Sequence, residues 1–501
     1  MKRKPLRLWI GSAVVLLLIL IGCFSSKPSF VVSKAWLNDR PQTEVLQPGY
    51  VDDASRLNRT HVTEVCAISA DKSAAEAQVR QLILRARTQK LGIAIAGAGH
   101  SMGGHSISPE GIVLNMLPFN HLELSKDNKI LRVGAGARWS DVVPYLNSRG
   151  YSVAVMQASN DFSVGGSISV NCHGWQHNSP PIASTVESFR LVTAAGSIVR
   201  CSRTENSELF SLVLGGYGLF GVILEVDLRV VPNERYRPEV EVIPAGTYVA
   251  RFAEKTNNAT DIGMVYGRLC VVPGEKTFLR EAILTVFRRV PCKRDQIPPL
   301  SSTRFRTLHR EIYRAQIQSP AGKEVRWKAE KGLGEQFGSS DVSRNQLLNE
   351  AAALYQERNA DRTDILHEYF IPPQEVARFL DRSREIIPRH NGELLNVTIR
   401  NVREDRDSFL RYADGEMFAF VMLFNQPRSE EADEKMAAMT RELINASLEC
   451  RGRYYLCYRL HATKDQLTRA YPQAVEFFDR KRHYDPDEVF RNKFYDKYGR
   501  P

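Results

Sequence analysis

Gly99-His100-Ser101-Met102-Gly103, inside the run GIAIAGAGHSMGGHS at 92–106, holds side chains suited to two different chemistries. The spacing fits G-x-S-x-G, in which a sharp strand-to-helix turn exposes a nucleophile, and would make Ser101 the nucleophile of a hydrolase. The same glycines also describe a turn whose backbone N–H groups converge on a pyrophosphate, with His100 beside it. A nucleophile elbow needs a helix directly after its serine. Here Gly103, Gly104, Pro109 and Gly111 follow, at about 1 kcal/mol for each glycine in a helix and about 3 for proline. No HGGG-type oxyanion loop lies upstream. The Ser101 hydrolase is therefore kept only as a remote alternative.

Two further glycine-rich stretches follow. FSVGGSISVNCHGWQ (162–176) reads as a second loop that permits close backbone approach, with Ser and Asn as polar contacts. GGYGLFG satisfies G-x-G-x-x-G through Gly216, Gly218 and Gly221. A dinucleotide fingerprint requires a strand before it and a helix opening at its last glycine. The expected order here is reversed, helix then strand, which argues against a nicotinamide site and for a tight turn beside something large and flat.

Periodicity supplies the elements that carry these turns. Residues 73–91 have helical spacing; 92–97, 111–116 and 130–137 read as strands; 138–150 is a helix stopped at Gly150. Residues 186–202 read as a hairpin around Ala195-Gly196, 205–216 as a helix and 221–232 as a long strand closed by Pro232. Strands near 365–372 and 394–403 alternate with helices at 374–387 and 430–448. The mixed order predicts an α+β protein rather than regular βαβ repeats.

A length of 501 residues exceeds one ordinary core. The expected division is an N-terminal segment 1–24, a linker 25–59, a first domain 60–235, a second 236–449 and a C-terminal segment 450–501. The net charge is +11, but no run of Lys and Arg with interleaved aromatics suggests nucleic acid; anionic cofactors or lipid head groups suit it better. The cysteines show neither C-x-x-C nor metal-ligand pairing with His, so no metal site is expected. Cys450 and Cys457 are a possible bridge between neighbouring strands, with buried free thiols the commoner outcome. Four basic residues precede the uncharged LWIGSAVVLLLILIGCF (8–24). That stretch reads as an uncleaved anchor or as a signal ending in a lipidated Cys23, with the body of the chain on the exported, extracytoplasmic side.

With these motifs in order, residues 60–235 resemble the FAD-binding domain of the vanillyl-alcohol oxidase/p-cresol methylhydroxylase superfamily. The similarity is to its alditol and aldonolactone oxidase, cytokinin dehydrogenase and decaprenylphosphoryl-ribose oxidase branch. AGAGHSMGG…GIVLNM is similar to the pyrophosphate loop and following strand, SVGGSISVNCHG to the second FAD loop and GGYGLFGVILEV to the third. KRHYDPDEVFRNKF is similar to the closing K-x-x-x-D-P-x-x-x-F-x-N pattern, through Lys481, Asp485, Pro486, Phe490 and Asn492.

The resemblance implies a two-subdomain FAD-binding domain, a separate α+β substrate domain and a C-terminal segment returning to the first. It implies FAD, bonded covalently to His100, with His105 the local competitor. The FAD contacts carried over are Ile95, Ala96, Gly97, Ala98, Gly99, His100, Ser101, Ser163, Gly166, Val170, Asn171, Cys172, His173 and Ile223. RLHATKDQ resembles a lysine-bearing segment that places Lys464 over the flavin, with His461 nearby. LLNVTIRNV is similar to a strand carrying a polar-x-Arg pair, here Thr398-Ile399-Arg400, with Thr398 where alditol oxidases have Glu. The implied catalytic residues are Lys464, Arg400 and His461, and Tyr454, Tyr455 and Tyr458 are further candidates for the pocket wall.

The expected activity is hydride transfer from a CH–OH group to the flavin. The substrate is expected to be a polyol, sugar or lipid-linked sugar, with oxygen or a quinone as acceptor. A C=C reductase or a flavoprotein without turnover is the alternative.

Overall fold

The computed structural model describes residues 46–300, 306–337 and 340–500, with isolated positions 30, 32, 33, 36 and 39 upstream. The basic and apolar segment 1–24, with Cys23, lies outside them. Among the described residues no helix is long and apolar enough to cross a membrane.

A short pair, β1 (Tyr50–Val51) and β2 (Thr60–His61), leads into a parallel sheet of β3 (Glu64–Ala67), β4 (Ile93–Ala96) and β5 (Ile112–Asn115), in the order β3-β5-β4. Helix α1 (Lys72–Gln89) links β3 to β4. Asp71 caps it by accepting from Ala74 N at 2.8 Å, and Lys90 ends it in the left-handed region. Its Ala75, Val79, Leu82, Ile83 and Ala86 share one face and bury against Ile93, Ile112 and Leu114.

The second sheet is antiparallel, β10-β9-β11-β7-β6, with β8 pairing the far end of β11. Its strands are β6 (Leu122–Leu124), β7 (Ile130–Gly134), β8 (Tyr151–Val153), β9 (Val186–Val192), β10 (Ile198–Ser202) and β11 (Val222–Pro232). Helices α2 (Trp139–Asn147), α3 (Val164–Ser169) and α4 (Ser207–Val213) pack on it.

The third sheet has the order β15-β12-β14-β13-β17-β18-β16-β19 and is antiparallel throughout. It comprises β12 (Arg235–Pro244), β13 (Ile262–Leu269), β14 (Glu281–Arg289), β15 (Val342–Ser343), β16 (Arg362–Ile371), β17 (Leu394–Val402), β18 (Met417–Pro427) and β19 (Arg453–Tyr454). Helices α5 (Tyr248–Thr256), α6 (Arg306–Arg314), α7 (Pro320–Phe337), α8 (Arg344–Leu347), α9 (Val376–Arg389) and α10 (Glu430–Glu449) accompany it. Strands β16–β18 are buried almost throughout, with both faces covered. His367 of β16 reaches Thr440 of α10 on one face, while the alternate residues Leu366 and Glu368 point to a cavity on the other.

The last elements are α11 (Lys464–Ala470), α12 (Ala474–Tyr484) and α13 (Lys493–Tyr498). Beyond α12 the chain returns to the first sheet: Ile93 N donates to Val489 O at 2.6 Å and Arg491 N to Ile93 O at 2.9 Å. Asn492 Nδ2 donates to the carbonyls of His105 and Tyr217, both at 2.9 Å.

One expectation changes. The stretch 162–176 is not all loop, since Val164–Ser169 forms a helix in which Gly165 packs closely against Ala135. No helix follows Ser101; the next element is β5, so the nucleophile elbow is absent. The reversed helix–turn–strand order around Gly216–Gly221 is as expected, with α4 before and β11 after. All seven cysteines of the described residues are free, Cys450 and Cys457 included.

Candidate functional site

A cavity of about 530 Å³ opens where the three sheets meet, a size that suits a small-molecule or cofactor site. One wall is the turn after β4, Gly97 to Met102; another is the segment around α3; a third comes from Tyr217, Gly218, Gly221 and Ile223. The opposite side belongs to β13, β16, β17, β18, α6, α7 and the 455–458 segment.

The turn after β4 is built for close approach. A Cβ at Gly97 would sit 1.9 Å from Ser163 Oγ, so only glycine allows the two loops to meet. Ala98 N donates to that same Oγ at 3.3 Å. Gly99 has φ +73, and a Cβ there would meet nothing within 4 Å, which leaves open space beside the turn. Among the described residues no acceptor takes the amides of Gly99, His100 or Ser101. Three successive free N–H groups on a cavity wall suit a pyrophosphate without basic side chains. The residues present therefore fit a phosphate-bearing cofactor.

His100 lies in this wall, its ring stacked on Phe162 with centroids 4.0 Å apart and Nε2 3.9 Å from Asp161 Oδ2. Burial lowers its pKa and Asp161 opposes the fall. His105 also borders the cavity but sits deeper, against Tyr217 and Phe494, and neither of its ring nitrogens has a partner. Burial drives its pKa down to about 4.

A polar cluster closes the far end. His173 Nε2 lies 2.5 Å from Glu368 Oε1, and Tyr458 OH donates to Glu368 Oε2 at 3.1 Å. Burial opposes ionisation of Glu368, but His173, Arg400 and Tyr458 outweigh it and hold the carboxyl below its ordinary value. Burial lowers the pKa of His173 while Glu368 opposes the fall; with the proton on Nε2, a neutral ring donates to the carboxylate. Arg400 Nη1 donates to His173 O at 3.1 Å. Tyr455 OH donates to Val170 O at 2.7 Å, fixing the second loop against the 455–458 segment.

Of the expected cofactor contacts, all but Ala96 and Asn171 border the cavity. Ala96 packs toward Val62, Ile107 and Val113. Asn171 turns away: Nδ2 donates to Asp405 Oδ2 at 2.7 Å and Oδ1 accepts from Ala183 N at 3.1 Å. Among the expected catalytic residues only Arg400 is in the cavity wall.

Lys464 is exposed at the first position of α11 and donates to Arg500 O at 3.4 Å. Thr463 and Gln466 form a capping box there, which starts a helix and turns the lysine outward. His461 is buried outside the cavity wall, with Nδ1 3.0 Å from Thr440 Oγ1 and Nε2 3.2 Å from Asp433 Oδ1. It ties the C-terminal segment to α10. Tyr455 and Tyr458 border the cavity, whereas Tyr454 is buried in β19.

Glu368, Arg268, Arg326 and Asn396 were missed and all border the cavity. For Glu368 and Arg268 the signal was present: ILHEYFI and VYGRLCVV each set one charge in an apolar strand, and a buried charge calls for a partner or a ligand.

The family model described as "FAD binding domain" matches residues 72–202. An uncharacterised oxidoreductase of the fasciation locus of Rhodococcoides fascians is 35% identical over 155 residues, 31% of this chain and 35% of that protein. A cytokinin dehydrogenase of Arabidopsis thaliana is 36% identical over 132 residues, 26% of either chain. The L-gulonolactone oxidase of Mus musculus is 30% identical over 157 residues, 31% of this chain and 36% of that protein. The aligned stretch thus spans about a third or less of these relatives' lengths. The residues matched by the family model, 72–202, include the free-amide turn, the second loop and His173. The chain carries an FAD-binding domain over residues 72–202 and is similar, over part of its length, to FAD-linked oxidoreductases.

Proposed function

We propose that this protein is an FAD-linked oxidase or dehydrogenase that oxidises a CH–OH group of a polyol, sugar or lipid-linked sugar. The observation that carries this reading is the buried His173–Glu368–Tyr458 cluster, set in the same cavity as the free-amide turn. Bound FAD supplies a hydride acceptor at N5. Loss of hydride from a carbinol leaves a hydroxyl proton to be removed, and the cluster offers its destination. The substrate hydroxyl gives its proton to the Tyr458 oxygen as the phenol proton passes to Glu368 Oε2. His173, neutral and donating to Oε1, fixes the carboxylate in place.

His100 is proposed as the covalent attachment point, with Phe162 and Asp161 setting its ring. The three- and six-stranded sheets are assigned to the two halves of an FAD-binding domain (60–235), and the eight-stranded sheet to a substrate domain (236–449). Residues 450–501 return to the first. Residues 1–24 would tether the protein to a membrane with the catalytic part on the extracytoplasmic side, and electrons would leave to oxygen or a quinone.

The test is the visible spectrum of the full-length protein before and after acid precipitation, followed by anaerobic addition of polyols and sugars. Yellow colour in the pellet, lost in His100→Ala but kept in His105→Ala, supports the covalent bond; bleaching by an alcohol supports oxidation. A flavin that binds but is bleached by no alcohol would overturn the oxidase reading.

A further inference from the structure

We propose that Arg268 and Arg400, on either side of Thr398, form an oxyanion subsite, so that the alcohol taken here carries a carboxylate or a phosphate monoester. The inference rests on the oxidation reading above for the word alcohol; the anion site itself stands on charge and register.

Strands β13 and β17 run antiparallel with Arg268 opposite Thr398. Asn396, Thr398 and Arg400 alternate along β17, so all three share one face, and with Arg268 they border the cavity. Arg268 Nη1 donates to Thr398 Oγ1. The result is two guanidiniums flanking a hydroxyl on one patch of sheet.

Neither guanidinium has a direct ion pair, Glu330 acting on Arg268 and Glu368 on Arg400 only at longer range. Among the described residues no carboxylate lies within ion-pair distance of Arg268 or Arg400, and Arg400 Nε is buried without a partner. The nearby acids are already engaged. Glu330 pairs with Arg326 at 2.7 Å, Glu368 is held by His173 and Tyr458, and Glu350 accepts from Tyr355 OH at 2.8 Å. The buried arginines elsewhere are treated differently: Arg310 pairs with Asp39, Arg314 with Asp364 and Arg344 with Glu234. A guanidinium stays protonated wherever it is placed, and an unpaired charge out of water is costly. A ligand oxyanion would supply the missing direct partner, and the planar fork of arginine suits both a carboxylate and a phosphate.

The test follows the melting temperature of the full-length protein at constant ionic strength, with sodium D-gluconate, D-glucitol 6-phosphate or neutral D-glucitol added. A saturable rise with either anion and none with D-glucitol is expected, and the anion that gives it identifies the group recognised. Arg268→Met and Arg400→Met should each weaken that binding roughly ten- to a hundredfold. Thr398→Glu is the sharper variant. It places a carboxylate between the two guanidiniums, so it should raise the ligand-free melting temperature and abolish the anion response. Equal stabilisation by D-glucitol, no rise with either anion, or an anion response that survives in Thr398→Glu would each overturn the subsite. An anion response without flavin reduction by any alcohol would leave the subsite standing and remove the oxidation reading alone.

Discussion

His173 and Glu368 meet at 2.5 Å although they come from different parts of the chain, the first from the loop after α3 and the second from the middle of β16. The contact fastens the second glycine-rich loop to the eight-stranded sheet and buries a carboxylate at the cavity's end. Glu368→Gln keeps the shape but has one accepting oxygen where the carboxylate has two, so it removes the proton acceptor and leaves one of the two donors facing an NH2 group. Turnover of the alcohol that best reduces the wild-type flavin should fall roughly 10²- to 10⁴-fold, with flavin content unchanged. Glu368→Ala leaves the His173 and Tyr458 donors buried without an acceptor and should cost about 1–3 kcal/mol of stability as well. Lys464→Met, on the exposed side of α11, should leave turnover unchanged; a large loss there would return the lysine to the mechanism.

The close approach of Gly97 to Ser163 gives a second expectation. In Gly97→Ala the new methyl would overlap Ser163 Oγ at 1.9 Å and Ser163 Cβ at 2.9 Å. Overpacking of this kind costs roughly 1–3 kcal/mol, and here it also parts the two loops that border the cavity. The variant should lose most of its flavin at purification. Adding Ser163→Gly restores the space, so the double variant should regain flavin. Failure of that rescue would show that Gly97 matters for another reason.

The glycine turns were legible in the sequence because their cause is local. Gly97 and Gly99 announce a backbone conformation and a close approach without knowledge of the partner. Helix α1 was equally plain, from its apolar spacing. Strand β12 was not foreseen, because ERYRPEVEVIP mixes charge with apolar residues, and a strand open to solvent on one face alternates rather than running apolar. Strands β13 and β14 were missed although they are buried and largely apolar. The Glu368–His173 and Arg268–Thr398 pairs depend on tertiary placement and strand register, which no local pattern states. Lys464 was misplaced although the sequence held the correction: T-x-x-Q at Thr463 and Gln466 is a helix start, and its first residue points outward.

The return of the C-terminal segment to the first sheet hangs on one buried ion pair. Lys481 Nζ lies 2.6 Å from Asp485 Oδ2, both side chains fully buried, and Asp485 also accepts from the amides of Val489 and Phe490 at 2.9 and 2.8 Å. Lys481→Met leaves that carboxylate buried without its cation and should cost about 3–5 kcal/mol. Hydrogen exchange in residues 485–500 should quicken as the segment loosens from β4. Arg480→Met, which breaks only the exposed pairs with Glu208 and Glu476, should change stability by less than about 1 kcal/mol. Equal effects of the two substitutions would mean that the buried pair does not hold the segment.

Acid sensitivity should trace in part to His105. Burial lowers its pKa from 6.5 to about 4 in the folded protein, while the unfolded chain keeps the ordinary value. Between those values the unfolded state binds the proton and the folded state does not. Stability is therefore full above pH 6.5 and declines as the pH falls toward 4. Linkage puts the loss at roughly 3 kcal/mol across that window. His105→Leu removes the titrating ring, so denaturant unfolding at pH 7.5 and at pH 4.5 should show a smaller difference in the variant than in the wild type. A residual slope of the same sign belongs to His367, which burial brings to about 3. If the two proteins lose stability in parallel over this range, the His105 ring is already protonated, or solvated, in the folded state.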